Sequence, residues 1–226
     1  MPNLKETTLG FFEAFIKMTG RDLVVMVMLV VLAILLIKLS TIIHKTDQKP
    51  LKNMKTRDLC MLSMFIGITC ILAYFSIRVG NVNKYSLKFL PIYVSTMFYG
   101  PVAGGVVAVI ADVISFFQSG GTYLPIFTML EFINGILYFV FLGKSDNQIN
   151  KSKVKVVILA ILCVVAQLVV NTFRTYELSR RYFGGHFTAT FVSRFPGMLI
   201  MAAVQVAIII MIEPYIPRFS AIIKKK

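Results

Sequence analysis

The sequence predicts an all-α integral membrane protein, six helices in one bundle with one additional transmembrane helix ahead of them. Three observations point there. The 226 residues are 57% hydrophobic and only 15% charged, against about 45–50% and about 25% in soluble domains, and the mean hydropathy is +0.78. The apolar residues gather in runs near the ~20-residue length that a spanning helix needs. The charges, net +14, sit in short segments between those runs, where they set the orientation of a multi-pass chain.

Leu23–Ile43 is the first span, with Arg21 and Asp22 before it and Lys38 placed near its end, where a lysine can snorkel. The 22 residues ahead of it, and the basic linker rather than a small-residue cleavage site after it, separate it from a signal peptide. The linker His44–Arg57 (Lys45, Lys49, Pro50, Lys52, Lys55, Arg57) is the plainest boundary in the chain. It divides an extension, 1–55, from a six-span domain, 56–226. Leu59–Ile77 is an uncharged span, and Arg78–Lys88 a polar loop. The apolar run that follows is cut by Gly100-Pro101. Proline lacks a donor and restricts the residue before it, so two short helices are expected, about 88–99 and 101–117. After the loop Gln118–Tyr123, a span at Leu124–Leu142 carries Glu131 and Asn134. Lys144–Lys155 reads as a basic loop, Val156–Phe173 as a span, Arg174–Arg194 as a long polar loop, and Phe195–Ile212 as the last span, closed by Glu213-Pro214.

Several chemistries find no footing. Cys60, Cys70 and Cys163 lie in apolar runs at no metal spacing, and His44 and His186 are far apart, so neither a metal nor a cofactor is expected. Gly143-Lys144-Ser145 has Tyr138 where a phosphate loop needs glycine. No basic segment is long enough, or interleaved with aromatics, to suggest nucleic acid. No protease pairing of Asp, Ser-His or His-Glu-x-x-His is present, and no internal inverted repeat of the kind secondary transporters show.

The basic linker, the 144–155 loop and the tail Lys224–Lys226 must share a side, and the positive-inside rule makes that side cytoplasmic. The loops 78–88, 118–123 and 174–194 then lie outside. Two of them are basic, with Arg78, Lys84, Lys88, Arg174, Arg180, Arg181 and Arg194 against the single acid Glu177. An anionic ligand would account for this, since arginine grips a carboxylate through two parallel hydrogen bonds. Aromatics and amides in or beside the same loops, among them Tyr85, Gln118, Tyr123, Asn171 and Tyr176, suit a flat, partly apolar anion. An aromatic belt with arginines on lipid phosphates is the plainer alternative. Gly104 and Gly105 allow close helix packing. Asp112 and Glu131 are costly in a membrane unless they face the protein interior with partners, and they are expected near the floor of the site.

The order of these features resembles a known family. Phe98-Tyr99-Gly100-Pro101 ends a short second span, and a third span, Val106–Phe117, carries an Asp. A Gly-Gly loop, Pro125 with Phe127-Thr128, Asn134-Gly135 and Arg194-Phe195-Pro196 follow. The chain resembles the substrate-binding S-components of energy-coupling factor vitamin transporters, the folate family in particular, over roughly Thr56–Arg218 and most closely over 87–143. The helix at 23–43 departs from the six-span plan. The resemblance implies a multi-pass protein of the bacterial cell membrane that binds a vitamin from outside, without catalysis of its own. It also implies partners: a membrane coupling protein and two ATP-binding-cassette ATPases that power release. Family members dock through small residues four apart in the first core span. Here the nearest pair is Ser63 and Gly67, for which intramolecular packing is the other reading. Folate fits the outer features, with Arg78, Lys84, Lys88, Gln118, Tyr123, Asn171, Arg174, Tyr176 and Arg194 as candidate contacts. Pantothenate, a smaller carboxylate, also suits the basic loops, and a proton-coupled carrier using the buried carboxylates is a third possibility.

Overall fold

The computed structural model describes residues 4–16, 18–44, 54–79, 83–119, 123–143, 153–182 and 184–216. Among them eight helices occur: α1 (Leu4–Ile16), α2 (Gly20–His44), α3 (Thr56–Tyr74), α4 (Phe89–Tyr99), α5 (Pro101–Ser119), α6 (Pro125–Leu142), α7 (Lys153–Tyr182) and α8 (Phe187–Ile212). Two short strands, β1 (Ile77–Val79) and β2 (Asn83–Tyr85), pair antiparallel between α3 and α4, with Arg78 opposite Lys84. The expected polar loop at 78–88 is therefore largely a hairpin. Among the described residues six helices are long and apolar enough to cross a membrane, and α4 is apolar but shorter.

α6 is the axis of the bundle and the most deeply buried helix, packing on α2, α4, α5 and α7. It starts on Pro125, whose missing N–H is one of the unpaired donors at any helix start. The α4–α5 turn is made at Gly100, whose φ of 90° is a conformation glycine adopts without strain. The glycines of α5 and α6 act as the sequence suggests. A Cβ on Gly104 would fall 1.8 Å from the Thr96 Oγ1, and one on Gly135 would fall 2.9 Å from the Gly105 Cα. Backbones this close need residues without side chains.

Two expectations are corrected. The long polar loop 174–194 does not exist: α7 runs unbroken to Tyr182, and α8 begins at Phe187, eight residues before the expected start. No glycine or proline interrupts Lys153–Tyr182, and the polar residues after Phe173 face protein partners rather than marking a loop. The real break is Gly184-Gly185, both left-handed (φ 59° and 83°). Pro196 is accommodated inside α8, at the loss of one helical hydrogen bond. At about 1.5 Å per residue, the 30-residue α7 is longer than the ~30 Å apolar core of a bilayer.

The second correction is the N-terminus, where α1 was not expected. α2, the additional span, lies along α6, with Leu29 and Ala33 buried against Ile126, Leu130, Ile133, Ile136, Leu137 and Val140. Its ends are fixed by polar contacts. At one end Nε2 of His44 donates to the Val140 carbonyl (3.1 Å). At the other Asp22, 2% exposed, takes ion pairs from Arg180 (2.8 Å) and Arg181 (2.9 Å) of α7. Of the expected basic loop 144–155, residues 144–152 fall outside the described residues while Lys153–Lys155 open α7, and the Lys224–Lys226 tail falls outside them.

Candidate functional site

A cavity of about 340 Å³ opens toward the end of the bundle that carries the hairpin. This lies within the range of small-molecule sites, about 300–1,000 Å³. Its walls come from α3 to α8, and its side chains fall into two layers. Near the hairpin end are Lys88, Ser115, Glu131, Arg174 and Arg194; further in are Asn134, Tyr138, Gln167 and Gln205. Arg194 and Gln205 lie on one helix, eleven residues and so about 16 Å apart along its axis. Val164, Leu168, Met198 and Met201 supply apolar wall.

The charged layer is built on Glu131, buried in the middle of the bundle. One of its oxygens, Oε1, accepts from Nζ of Lys88 (2.6 Å) and from Nη2 of Arg174 (2.8 Å). Arg174 also lies over the Phe127 ring, 5.4 Å from its centroid. A carboxylate inside a membrane protein is tolerated when paired like this. Asp112 meets the same requirement more lightly: it lines the cavity and accepts from the Thr128 hydroxyl (2.7 Å). The inner layer is a chain of amides and a phenol. The Gln205 Nε2 donates to the Tyr138 hydroxyl (2.6 Å) and to the Gln167 Oε1, and the Gln167 Nε2 donates to the Asn134 backbone carbonyl (3.4 Å).

Three cations therefore face two carboxylates. Lys88 and Arg174 share Glu131, while Arg194 forms no ion pair among the described residues, and its buried Nε has no hydrogen-bond partner there. Two more cavity residues hold buried polar atoms without hydrogen-bond partners among the described residues, Nε of Arg174 and Oδ1 of Asn134. Buried polar atoms are nearly always satisfied. Three exceptions fall in this one cavity, two of them guanidinium donors.

Of the residues singled out in the sequence, Lys88, Asn171, Arg174 and Arg194 line this cavity. Gln118 is exposed and stands outside it. Tyr123 is buried beside α1 rather than in the wall, one step from Asp112 through its hydrogen bond to Thr128 (2.8 Å). Tyr176 is 40% exposed and receives a hydrogen bond from Arg21 (3.1 Å). Arg78 and Lys84 sit on the hairpin, and their side chains fall outside the described residues. Arg180 and Arg181, part of the outer cation excess, are already matched by Asp22 and Glu177. The excess is thus partly structural. Gln167, Gln205 and Tyr138 were not anticipated. A lone glutamine in an apolar span was the available signal, but the two are 38 residues apart and only the fold joins them. Ser63 and Gly67 are exposed on α3, and nothing lies within 4 Å of a Cβ placed on Gly67, so the pair is not used in packing among the described residues.

Comparison with known proteins decides the family. Residues 57–213 match the family described as ECF transporter, substrate-specific component. The chain belongs to that family. A curated relative, the folate transporter FolT of Clostridium novyi (strain NT), is 31% identical over 121 residues, which is 52% of this chain and 67% of the relative. The fold is similar to a crystal structure of FolT bound with folic acid (TM-score 0.55, 22% identity, 72% of this chain and 94% of the other). It is also similar to the S component of a bacterial ECF transporter (TM-score 0.58, 18% identity, 74% of this chain and 98% of the other). The chain is thus a multi-pass membrane S-component, a substrate-binding rather than catalytic part of its transporter.

Proposed function

We propose that this S-component captures folate from outside the cell and delivers it inward with a membrane coupling protein and two ATP-binding-cassette ATPases. The observation that carries the reading is the set of unpartnered buried polar atoms in the cavity, Nε of Arg174, Nε of Arg194 and Oδ1 of Asn134. The two layers suit the two ends of folate. Its glutamate carboxylates would meet Arg194 and the Lys88–Arg174 pair near the hairpin, and its pterin would exchange hydrogen bonds with Asn134, Gln167 and Gln205 further in. The basic segments at 44–57 and 144–155 put the hairpin end outside. The 31% identity to a folate transporter supports the same ligand.

Pantothenate finds no support in the comparisons, and a short carboxylate would leave one of the two layers unused. Glu131 is held by two cations, which makes it a poor relay for a proton-coupled carrier. The exposed Ser63–Gly67 face of α3 is the proposed contact for the coupling protein, and residues 1–55 are proposed as a unit added to the 56–226 domain. The test is uptake of labelled folic acid into vesicles holding the chain with and without the coupling protein and ATPases. Uptake should need all components and ATP, and excess unlabelled folic acid, not pantothenate, should suppress it. Uptake by the chain alone, or suppression by pantothenate only, would overturn the reading.

A further inference from the structure

α1 and the start of α2 form a bracket across the hairpin end of the bundle, and the family match at 57–213 includes neither. One end of the bracket is fixed. Between α1 and α2, the Thr19 N–H donates to Oδ2 of Asp22 (3.3 Å), and Asp22 is tied to Arg180 and Arg181 of α7. Arg21 reaches the Tyr176 hydroxyl (3.1 Å) and lies 3.8 Å from Glu177. The other end is held by rings. Phe11 stacks 4.5 Å from Tyr123 and 5.7 Å from Phe117, and Phe15 lies 5.9 Å from Tyr123.

Those rings stand next to the cavity. Phe116, also packed on Tyr123 (5.1 Å), directly follows the cavity residue Ser115. The Tyr123 hydroxyl bonds to Thr128 (2.8 Å), which donates to the cavity residue Asp112 (2.7 Å). α1 thus bears on the corner where α5 and α6 meet at the cavity mouth. Much of its apolar surface is not packed on the bundle: Leu9, Phe12 and Ile16 are 64%, 66% and 82% exposed. An element with one firm end and one lightly packed end opens locally before the rest of the fold does.

We propose that α1 is a strap that keeps the α5–α6 corner of the cavity closed and sets how fast ligand passes the mouth. The identity of that ligand rests on the folate reading; the mechanical part does not. Phe11 is the latch, α2 and α7 are the mount, and Tyr123–Thr128–Asp112 connects the latch to the cavity wall.

The test separates the two. Ser115→Cys is introduced into the full chain with Cys60, Cys70 and Cys163 changed to alanine, and its reaction with a water-soluble maleimide is timed in detergent. Adding Phe11→Ala, or Phe11→Ala with Phe15→Ala, should speed labelling about tenfold, the equivalent of about 1.4 kcal/mol and within reach of a lost aromatic cluster. Leu9→Ala on the exposed face should change it less than twofold. Equal labelling with and without Phe11 overturns the strap, whether or not folic acid binds. With folic acid as probe, Phe11→Ala should raise the association and release rates together and leave Kd within twofold. A weaker Kd at an unchanged association rate would make Phe11 a ligand contact and overturn the strap. No folic acid binding to the unaltered chain would sink the folate reading alone, and labelling would still decide this one.

Discussion

Arg194→Ala is the most informative single substitution. The guanidinium is half-buried in the cavity wall, its Nε has no partner among the described residues, and the like charge of Arg174 acts on it. Removing it relieves an uncompensated buried charge, so the empty protein should melt at the same temperature or slightly higher. Ligand binding should respond in the opposite direction. A charge-assisted hydrogen bond contributes about 1.5–3 kcal/mol, and each 1.4 kcal/mol is about tenfold in Kd. The expected weakening for folic acid is therefore about 10- to 100-fold. Arg194→Lys keeps the charge but loses the planar fork, and should fall between. The assay is calorimetric titration with folic acid beside a circular-dichroism melt of the unliganded chain. A lower melting temperature with unchanged Kd would show that Arg194 is structural and would refute the reasoning.

Other substitutions should behave differently because their partners differ. Glu131→Gln leaves Lys88 and Arg174 without their shared carboxylate; loss of one partner of a buried pair costs about 3–5 kcal/mol, so the unliganded chain should melt markedly lower. Gly104→Ala puts a methyl group onto Thr96 and should cost about 1–3 kcal/mol through overpacking, seen in the same melt. Asp22→Asn, which weakens two ion pairs to α7, should expose α2 to limited proteolysis while the core stays resistant; an unchanged digestion pattern would contradict the anchoring. Gly67→Leu adds bulk to an open face of α3. It should leave folic acid binding intact while abolishing copurification with the coupling protein.

The spans were legible because composition alone decides them: a run such as Leu124–Leu142 has few alternatives to a helix in lipid. The Gly100-Pro101 break was legible for a local reason, the missing proline donor. The 174–194 segment was misread because polarity was taken for a loop. Arg174 is polar because it faces the cavity, and Glu177, Arg180 and Arg181 because they form an ion-pair cluster with Asp22 and Arg21; a helix with buried partners can be as polar as any loop. α1 escaped notice because at 13 residues it is too short to span, and what it packs on lies a hundred residues away. Within the site, Glu131 and Asp112 stood out because a carboxylate in an apolar run demands explanation. The amide layer did not, since Gln167 and Gln205 acquire meaning only when α7 and α8 lie side by side. The excess of outer cations pointed toward an anion, but the structure divides it: Arg180 and Arg181 hold α2, while Arg194 stays available.

The cavity itself, without any partner subunit, is proposed to hold one folate. Equilibrium dialysis of the purified chain against labelled folic acid tests this most directly. Saturable binding at one molecule per chain, displaced by unlabelled folic acid and reduced in the Arg194→Ala protein, is the predicted result. No saturable binding up to high micromolar concentration in a chain that melts cooperatively would contradict it.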